Sequence, residues 1–575
     1  MCGILGGNNS KWNYKLGIEK LKHRGPDSQK IITFGSFYLG FVRLAIQDIS
    51  KNAMQPMISD DGNVALVFNG EIYNFIELRC QLEKKGYIFK TLSDTEVILN
   101  AYVEYGKSFI NKIDGMFAIV LLDKRKKRLY LYRDRFGIKP LYYYYSPGGD
   151  FAFASELKGL EAVCANITFD IDTTAVYDFL FYQYIPDPKS LYKQVKKIEP
   201  ATCIEYDLAS RRIVKEAKYW KLVPNTKKSD KGYNFDEVKE KVREILHNAV
   251  VHQMVADVPV GTFLSGGVDS SVISYECSTV DSKIEAFCVA YKEKMFDESE
   301  YAQSVADAIG INLNKGIMNL YEAVGLYNSL KNWFDEPFGD TTAYANYLVS
   351  KQIRKNITVA LSGDGGDEVF GGYARYSEFE KLANVKVTDL IQRKICKRCG
   401  WDDHLLSHDY VRVGDEVEKY AYVSGFGFED HIRTNLAAVK KALYIDKEYD
   451  VLWHFRQFYH KDLPRITAAQ FIDMNSYLSS GMLPKVDRTS MAVSLEVRVP
   501  LLDTKLVEYS FSLPQDIRCN GSDLKKILKE AYIEFIPKKC LYRKKHGFSV
   551  PSSYYTRMGL GFRERVLKDM WGITL

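Results

Sequence analysis

Short apolar runs rich in β-branched and aromatic residues, broken by polar turn residues, dominate the first 210 or so positions of the chain. Phe37–Ile46, Val64–Phe68, Phe117–Leu122, Leu129–Arg133, Leu141–Tyr145, Phe151–Ala154 and Thr202–Tyr206 read as strands. Turn sequences such as Asp60-Asp61-Gly62-Asn63 and Pro147-Gly148-Gly149-Asp150 separate them. Two helical patterns interrupt, Phe75–Lys85 and Thr95–Tyr105, the second with Val97, Ile98, Ala101 and Tyr102 on one stripe. Residues 2–210 are thus predicted to form an α+β unit with antiparallel sheets. A linker is predicted over 211–234, its polar stretch being 221–234. From 235 to 560 the period changes. Val238, Val242, Ile245, Leu246, Ala249 and Val250 mark an amphipathic helix. Strand patterns at Val258–Leu264, Ile284–Tyr291 and Ile357–Leu361 then alternate with helices from Val268 and near Glu298–Ile309. That alternation predicts an α/β unit with a parallel sheet and ligands at the carboxyl ends of its strands. Beyond about residue 375 the pattern is mainly helical.

Composition narrows the function classes. At 575 residues the chain needs two or three cores. The net charge of +6 is small for that length, and basic residues alternate with acids, which argues against nucleic acid as a partner. No stretch approaches the roughly 18 apolar residues that span a bilayer, so no membrane segment is expected. The start Met1-Cys2-Gly3-Ile4-Leu5 lacks the charged and apolar regions of a signal peptide. Ten cysteines without a paired framework suit a reducing compartment, so a cytoplasmic location is expected. Cys396 and Cys399 form one CxxC, with no second ligand pair at zinc-finger spacing.

Three places carry candidate chemistry. If the initiator methionine is removed, Cys2 places a thiol and a free α-amine on one residue. An amine with a pKa of roughly 7.7–8.0 can act as general base for its own side chain. The plain alternative is a small buried cysteine near a start codon. Next, Phe263-Leu264-Ser265-Gly266-Gly267-Val268-Asp269-Ser270-Ser271 lies between a predicted strand and a predicted helix. Its glycines allow close backbone approach, and successive N–H groups with a helix N-terminus make an anion site. It is not a Walker A loop, because no Gly-Lys-Ser/Thr comes after it. A matching turn runs Leu361-Ser362-Gly363-Asp364-Gly365-Gly366-Asp367-Glu368. Magnesium prefers carboxylate and phosphate oxygens, which makes Asp269 and Asp367 the metal candidates.

Five motifs, Met1-Cys2-Gly3-Ile4, His23-Arg24-Gly25-Pro26-Asp27, Arg43-Leu44-Ala45-Ile46, Phe68-Asn69-Gly70-Glu71-Ile72-Tyr73-Asn74 and Ser93-Asp94-Thr95-Glu96, stand in the order found in class II glutamine amidotransferases. The first 210 residues resemble that family. The resemblance implies an N-terminal nucleophile fold of stacked antiparallel sheets, in which Cys2 attacks the glutamine side-chain amide. It further implies an oxyanion hole from Asn69 and the Gly70 N–H, Arg43 on the glutamine α-carboxylate, and Glu71 and Asp94 on its α-ammonium. Asn69-Gly70 as a plain hairpin turn and Asp94 as a cap for a helix starting at Thr95 remain open beside those roles. The Ser-Gly-Gly-x-Asp-Ser string resembles the pyrophosphate loop of the ATP pyrophosphatase superfamily. With Val486-Asp487-Arg488-Thr489-Ser490-Met491, Glu496-Val497-Arg498-Val499-Pro500 and Arg543-Lys544-Lys545-His546-Gly547-Phe548, the second part resembles the asparagine synthetase family. That resemblance implies ATP–Mg held by Ser265, Gly266, Gly267, Asp269 and Ser270, the adenylate by Leu264, Val289, Ser362 and Gly363, and Lys545 stabilising transition-state charge. Many asparagine makers carry Glu where this chain has Asp364, a position linked to forming the acyl-adenylate, and Asp is one methylene shorter. The expected function is glutamine-dependent amidation of aspartate. Amidation of another carboxylate, such as a uronic acid of a surface glycan, and an inactive regulatory or scaffold homologue are the alternatives. A homodimer is common among such relatives.

Overall fold

The computed structural model describes residues 2–291, 297–318, 322, 325–382, 415–427, 432, 435–543 and 561–575. Two six-stranded sheets fill the first part. One runs, edge to edge, Val195–Lys197, Tyr142–Tyr145, Phe151–Ala154, Gly3–Gly7, Phe37–Arg43 and Ser28–Phe34, with every pairing between these strands antiparallel. The other runs Arg212–Lys218, Thr202–Asp207, Arg128–Arg133, Gly115–Asp123, Val64–Ile72 and Met57–Ile58, again antiparallel.

Strand period 2 explains how the sheets stack. Ile4, Leu39 and Phe41 of the first sheet pack against Ala65, Val67, Val120 and Leu131 of the second. The alternate positions of the second sheet, Val64, Leu66 and Phe68, meet the helices Phe75–Glu83 and Asp94–Tyr105. The helices Tyr14–Leu21 and Leu157–Val163 cover the first sheet with Leu5 and Val42.

Five described strands of the first part were not expected: Gly3–Gly7, Ser28–Phe34, Met57–Ile58, Val195–Lys197 and Arg212–Lys218. The last lies within the expected 211–234 linker. It pairs with Thr202–Asp207 at the sheet's edge, where its charged, largely exposed side chains resemble a linker in composition.

The second part is built on a five-stranded parallel sheet in the order Asn312–Met318, Glu285–Tyr291, Val260–Phe263, Val359–Leu361, Glu496–Arg498. The chain enters at Val260–Phe263, adds two strands on one side, then crosses to add two on the other. The order therefore reverses between Val260–Phe263 and Val359–Leu361, and the loops leaving those neighbours frame a crevice. The long helix Phe235–Gln253 precedes the sheet, with Asn234 capping it through Asp236 N. Among the described residues beyond Phe370, the regular elements are helical apart from the strand Glu496–Arg498. No described helix is long and apolar enough to cross a membrane.

His454, in the short helix Trp453–Arg456, is buried, and its Nδ1 accepts a hydrogen bond from Gln457 Nε2 at 3.3 Å. Burial pushes its pKa from 6.5 down to about 3. The unfolded chain then binds a proton that the folded chain refuses. The stability contributed by neutral His454 is full above pH 6.5 and is lost as pH falls toward 3, at up to about 1.4 kcal/mol per pH unit. His454→Phe should flatten the fall in the urea midpoint between about pH 7 and about pH 5; an unchanged slope would show that the histidine titrates normally.

Candidate functional site

The same period that stacks the sheets delivers side chains to their shared end. Cys2 continues the face of Ile4, Arg43 continues that of Leu39 and Phe41, and Asn69 and Glu71 continue that of Ala65 and Val67. The Cys2 N–H donates to Asn69 Oδ1 at 3.1 Å, and the thiol faces the Leu44 carbonyl at 3.8 Å. Asn69 Nδ2 is buried without a hydrogen-bond partner among the described residues. Burial raises the Cys2 thiol to about 11, so the thiol form prevails at neutral pH and needs a proton acceptor to react.

Asn69-Gly70 is not a hairpin turn. Both residues sit inside Val64–Ile72, opposite Ala118 and Phe117. Gly70 has φ +153°, and a Cβ there would lie 2.0 Å from the Met116 carbonyl oxygen, so only glycine fits.

Asp94 is not the cap either. Ser93 caps the helix through Thr95 N, while Asp94 is its first residue and takes the Ile72 N–H at 3.0 Å. Asp94 and Glu71 are both buried. Burial raises Asp94 to about 6 and lifts Glu71 well above the carboxylate range. Two such groups side by side would be stabilised by an incoming cation. Arg43 donates to the Ser50 carbonyl at 2.6 Å and to that of Asp48, so the 48–50 loop orients its guanidinium.

At the crevice, the two Gly-rich loops touch directly. A Cβ on Gly363 would lie 2.7 Å from Asp269 Cβ, and one on Gly366 would lie 2.5 Å from Asp269 Oδ1. Ser265 N donates to Ser270 Oγ at 3.1 Å, and the Ser362 hydroxyl donates to Asp364 Oδ2 at 2.6 Å. Leu264, Ser265, Gly267, Asp269, Ser270, Val289, Ser362, Gly363, Asp364 and Asp367 line one cavity of about 1270 Å³; Gly266 packs behind it, where a Cβ would meet Ala302 N at 2.6 Å.

Lys525, which the motifs did not single out, reaches Asp269 and also Asp367 Oδ1 at 2.6 Å. The two carboxylates therefore converge on one cation-sized point. No larger cluster of His, Cys, Asp or Glu gathers among the described residues. Lys545 lies outside the described residues, as do Cys396 and Cys399.

A buried charge cluster lies between the two parts. Arg24 Nε donates to the Cys2 carbonyl at 3.1 Å, and Arg24 Nη1 pairs with Glu156 at 2.7 Å and Asp487 at 2.8 Å. Arg488 Nη1 meets Glu156 at 2.7 Å. Asp487 and Arg488 stand on the helix Leu483–Met491, whose Lys485 lines the crevice cavity and pairs with Asp340 at 2.8 Å. No local sequence signal marks these contacts, since Arg24 and Asp487 are 463 positions apart.

Comparison with known proteins bears on both sites. The glutamine amidotransferase domain model matches residues 1–220, and the asparagine synthase model matches residues 241–570. Asparagine synthetase (glutamine-hydrolyzing) 1 of Bacillus subtilis (strain 168) is similar, at 32% identity over 97% of this chain and 88% of its own length. Asparagine synthetase (glutamine-hydrolyzing) 3 of the same organism is 28% identical over 98% of this chain and 89% of its own. Amidase chry2 of Gibberella zeae is 26% identical over 94% and 85%. With a stacked-sheet pocket around Cys2 at one end and two interlocked glycine loops at a switch point of the other, the chain belongs to the asparagine synthase family, with a glutamine amidotransferase domain at its N-terminal end.

Proposed function

We propose that the protein is a glutamine-dependent amide synthetase that makes asparagine from aspartate. The observation that carries the reading is the pairing of Cys2 with Asn69, whose Oδ1 holds the Cys2 N–H while its Nδ2 is left to face a developing oxyanion. After loss of Met1, the Cys2 α-amine takes the thiol proton and the sulfur attacks the glutamine amide carbon. Asn69 and the Gly70 N–H hold the oxyanion, and collapse releases ammonia and leaves a glutamyl thioester. Water then hydrolyses the thioester to glutamate. Arg43 binds the substrate carboxylate, and Glu71 and Asp94 bind its ammonium.

In the crevice, the glycine loops hold ATP. Asp269 and Asp367 would hold Mg2+, which neutralises phosphate charge when bound. An acceptor carboxylate oxygen attacks the α-phosphorus and pyrophosphate leaves, with Asp364 and Lys545 serving the adenylation. Ammonia, reaching the crevice through the protein, then displaces AMP from the acyl carbon.

Two observations favour a second acceptor. Asp364 is shorter than the Glu of many asparagine makers, and one relative carries the name of an amidase. Incubation with glutamine, ATP–Mg and aspartate should release asparagine and pyrophosphate in equal amounts. Pyrophosphate released with a uronic acid and not with aspartate would replace the acceptor and leave the chemistry standing.

A further inference from the structure

The strand Glu496–Arg498 belongs to the parallel sheet of the C-terminal part, yet its side chains reach the pocket of Cys2. Its backbone is tied at both ends: Glu496 N donates to Thr358 O at 2.9 Å, and the Arg498 carbonyl accepts from Ser362 N at 2.9 Å. Alternation along three residues puts Glu496 and Arg498 on one face. Arg498 is fully buried. Its Nε donates to Glu496 Oε1 at 2.7 Å, and its Nη1 donates to the Gln253 and Val255 carbonyls at 2.6 and 2.8 Å. Gln253 ends the helix Phe235–Gln253, where carbonyls carry partial negative charge and favour a guanidinium.

Three contacts thus fix the head group and leave Nη2 facing Glu71 Oε2 at 3.5 Å. Across the pocket, Asn69 and Glu71 share one face of the strand Val64–Ile72, and Tyr73 follows directly after it. Asn69 Nδ2, Glu71 Oε2, Tyr73 Oη and Arg498 Nη2 are all buried, and none has a hydrogen-bond partner among the described residues. Polar atoms in such surroundings are ordinarily satisfied. Here Glu71 Oε2 and Arg498 Nη2 meet only as a long ion pair, and Asn69 Nδ2 and Tyr73 Oη have no hydrogen-bond partner, which leaves polar capacity for a guest. Resting on the proposed glutaminase activity, we infer that Arg498 is a positioning residue of the glutamine site, contributed by the synthetase part: it anchors the Glu71 carboxylate where that carboxylate meets the substrate's α-ammonium.

The amidotransferase pocket is then incomplete without the strand that also holds Ser362 at the nucleotide loop. Arg498→Met removes the anchor and leaves Cys2, Asn69 and Gly70 in place. The glutamine KM for glutamate release without ATP should rise about ten-fold or more, with kcat within about three-fold. Arg498→Lys, a single point charge without the fork, should recover part of that KM. On a Glu71→Gln background, Arg498→Met should add little further, because the group it positions no longer carries charge. Ammonium-driven pyrophosphate release, measured on each preparation, reports that the synthetase fold is intact.

An unmoved glutamine KM in Arg498→Met overturns the role, and so does an effect that adds fully to that of Glu71→Gln. Loss confined to kcat, or glutamate release that continues with normal KM while amide formation fails, also overturns it, the latter assigning Arg498 to ammonia transit. Unsubstituted protein that releases no glutamate from glutamine would instead sink the glutaminase reading itself.

Discussion

Alanine in place of Cys2 is expected to lower glutamine-dependent amide formation by at least about a thousand-fold, while ammonium salts still drive the C-terminal reaction. In the proposed mechanism the acyl bond forms on the Cys2 sulfur, and Asn69 orients that residue through Cys2 N. On that proposal, loss of the thioester stops glutamine from supplying ammonia. The synthetase loops are untouched by the change, so externally supplied ammonia should meet an acyl-adenylate as before. Two assays on one preparation decide the matter, glutamate release and pyrophosphate release, each with glutamine or with ammonium chloride. Glutamine consumed at the unsubstituted rate would end the nucleophile assignment. Loss of both reactions together would show that the substitution had damaged the fold.

Asparagine at Asp367 should give the complementary result. Pyrophosphate release should fall by about a hundred-fold or more with either nitrogen source, while glutamate release without ATP persists. The geometry supplies the reason. Asp269 and Asp367 come from the first turns of two different helices and meet at one cation, the Lys525 ammonium. Removing one negative charge from that point weakens its hold on any cation that accompanies a triphosphate, and it frees Lys525 from half of its counter-charge. Pyrophosphate release at the ordinary rate would move the metal and phosphate site elsewhere.

Much of both sites could be read from the chain before folding, for a physical reason. Chemistry that depends on a short stretch of backbone leaves a short string behind. Gly70 must be glycine because a carbonyl oxygen sits where its Cβ would be, and Gly363 and Gly366 must be glycine because Asp269 does. Such strings survive as motifs, and Cys2, Asn69 and the two loops were legible through them.

What escaped depends on contacts distant in sequence. Lys525 reads as an ordinary helix-flanking lysine until the sheet brings Asp269 beside it, 256 positions away. Glu496 and Arg498 were visible as part of a motif, but nothing in the string says that their side chains enter the other domain's pocket. Local patterning failed where the pattern is weak. Gly3–Gly7 has little β propensity of its own and is a strand because neighbours pair with it on both sides. The alternative that Asp94 caps the helix missed by one residue. A serine before it does the capping and releases the carboxylate to Ile72 N.

The buried arginines and acids between the two parts limit how such a protein can change over generations. Asp487 draws its counter-charges from the first part, Arg24 at 2.8 Å and Lys139 at 3.6 Å, and a carboxylate sealed from water without them would cost several kcal/mol. A recombinant that borrowed its first domain from a relative would keep Asp487 opposite whatever that relative carried in place of Arg24 and Lys139. Unless a cation of the right reach came with the graft, Asp487 would begin unmatched, in the cluster whose Arg24 also holds the Cys2 carbonyl. A change on either side of this seam therefore calls for a matching change on the other.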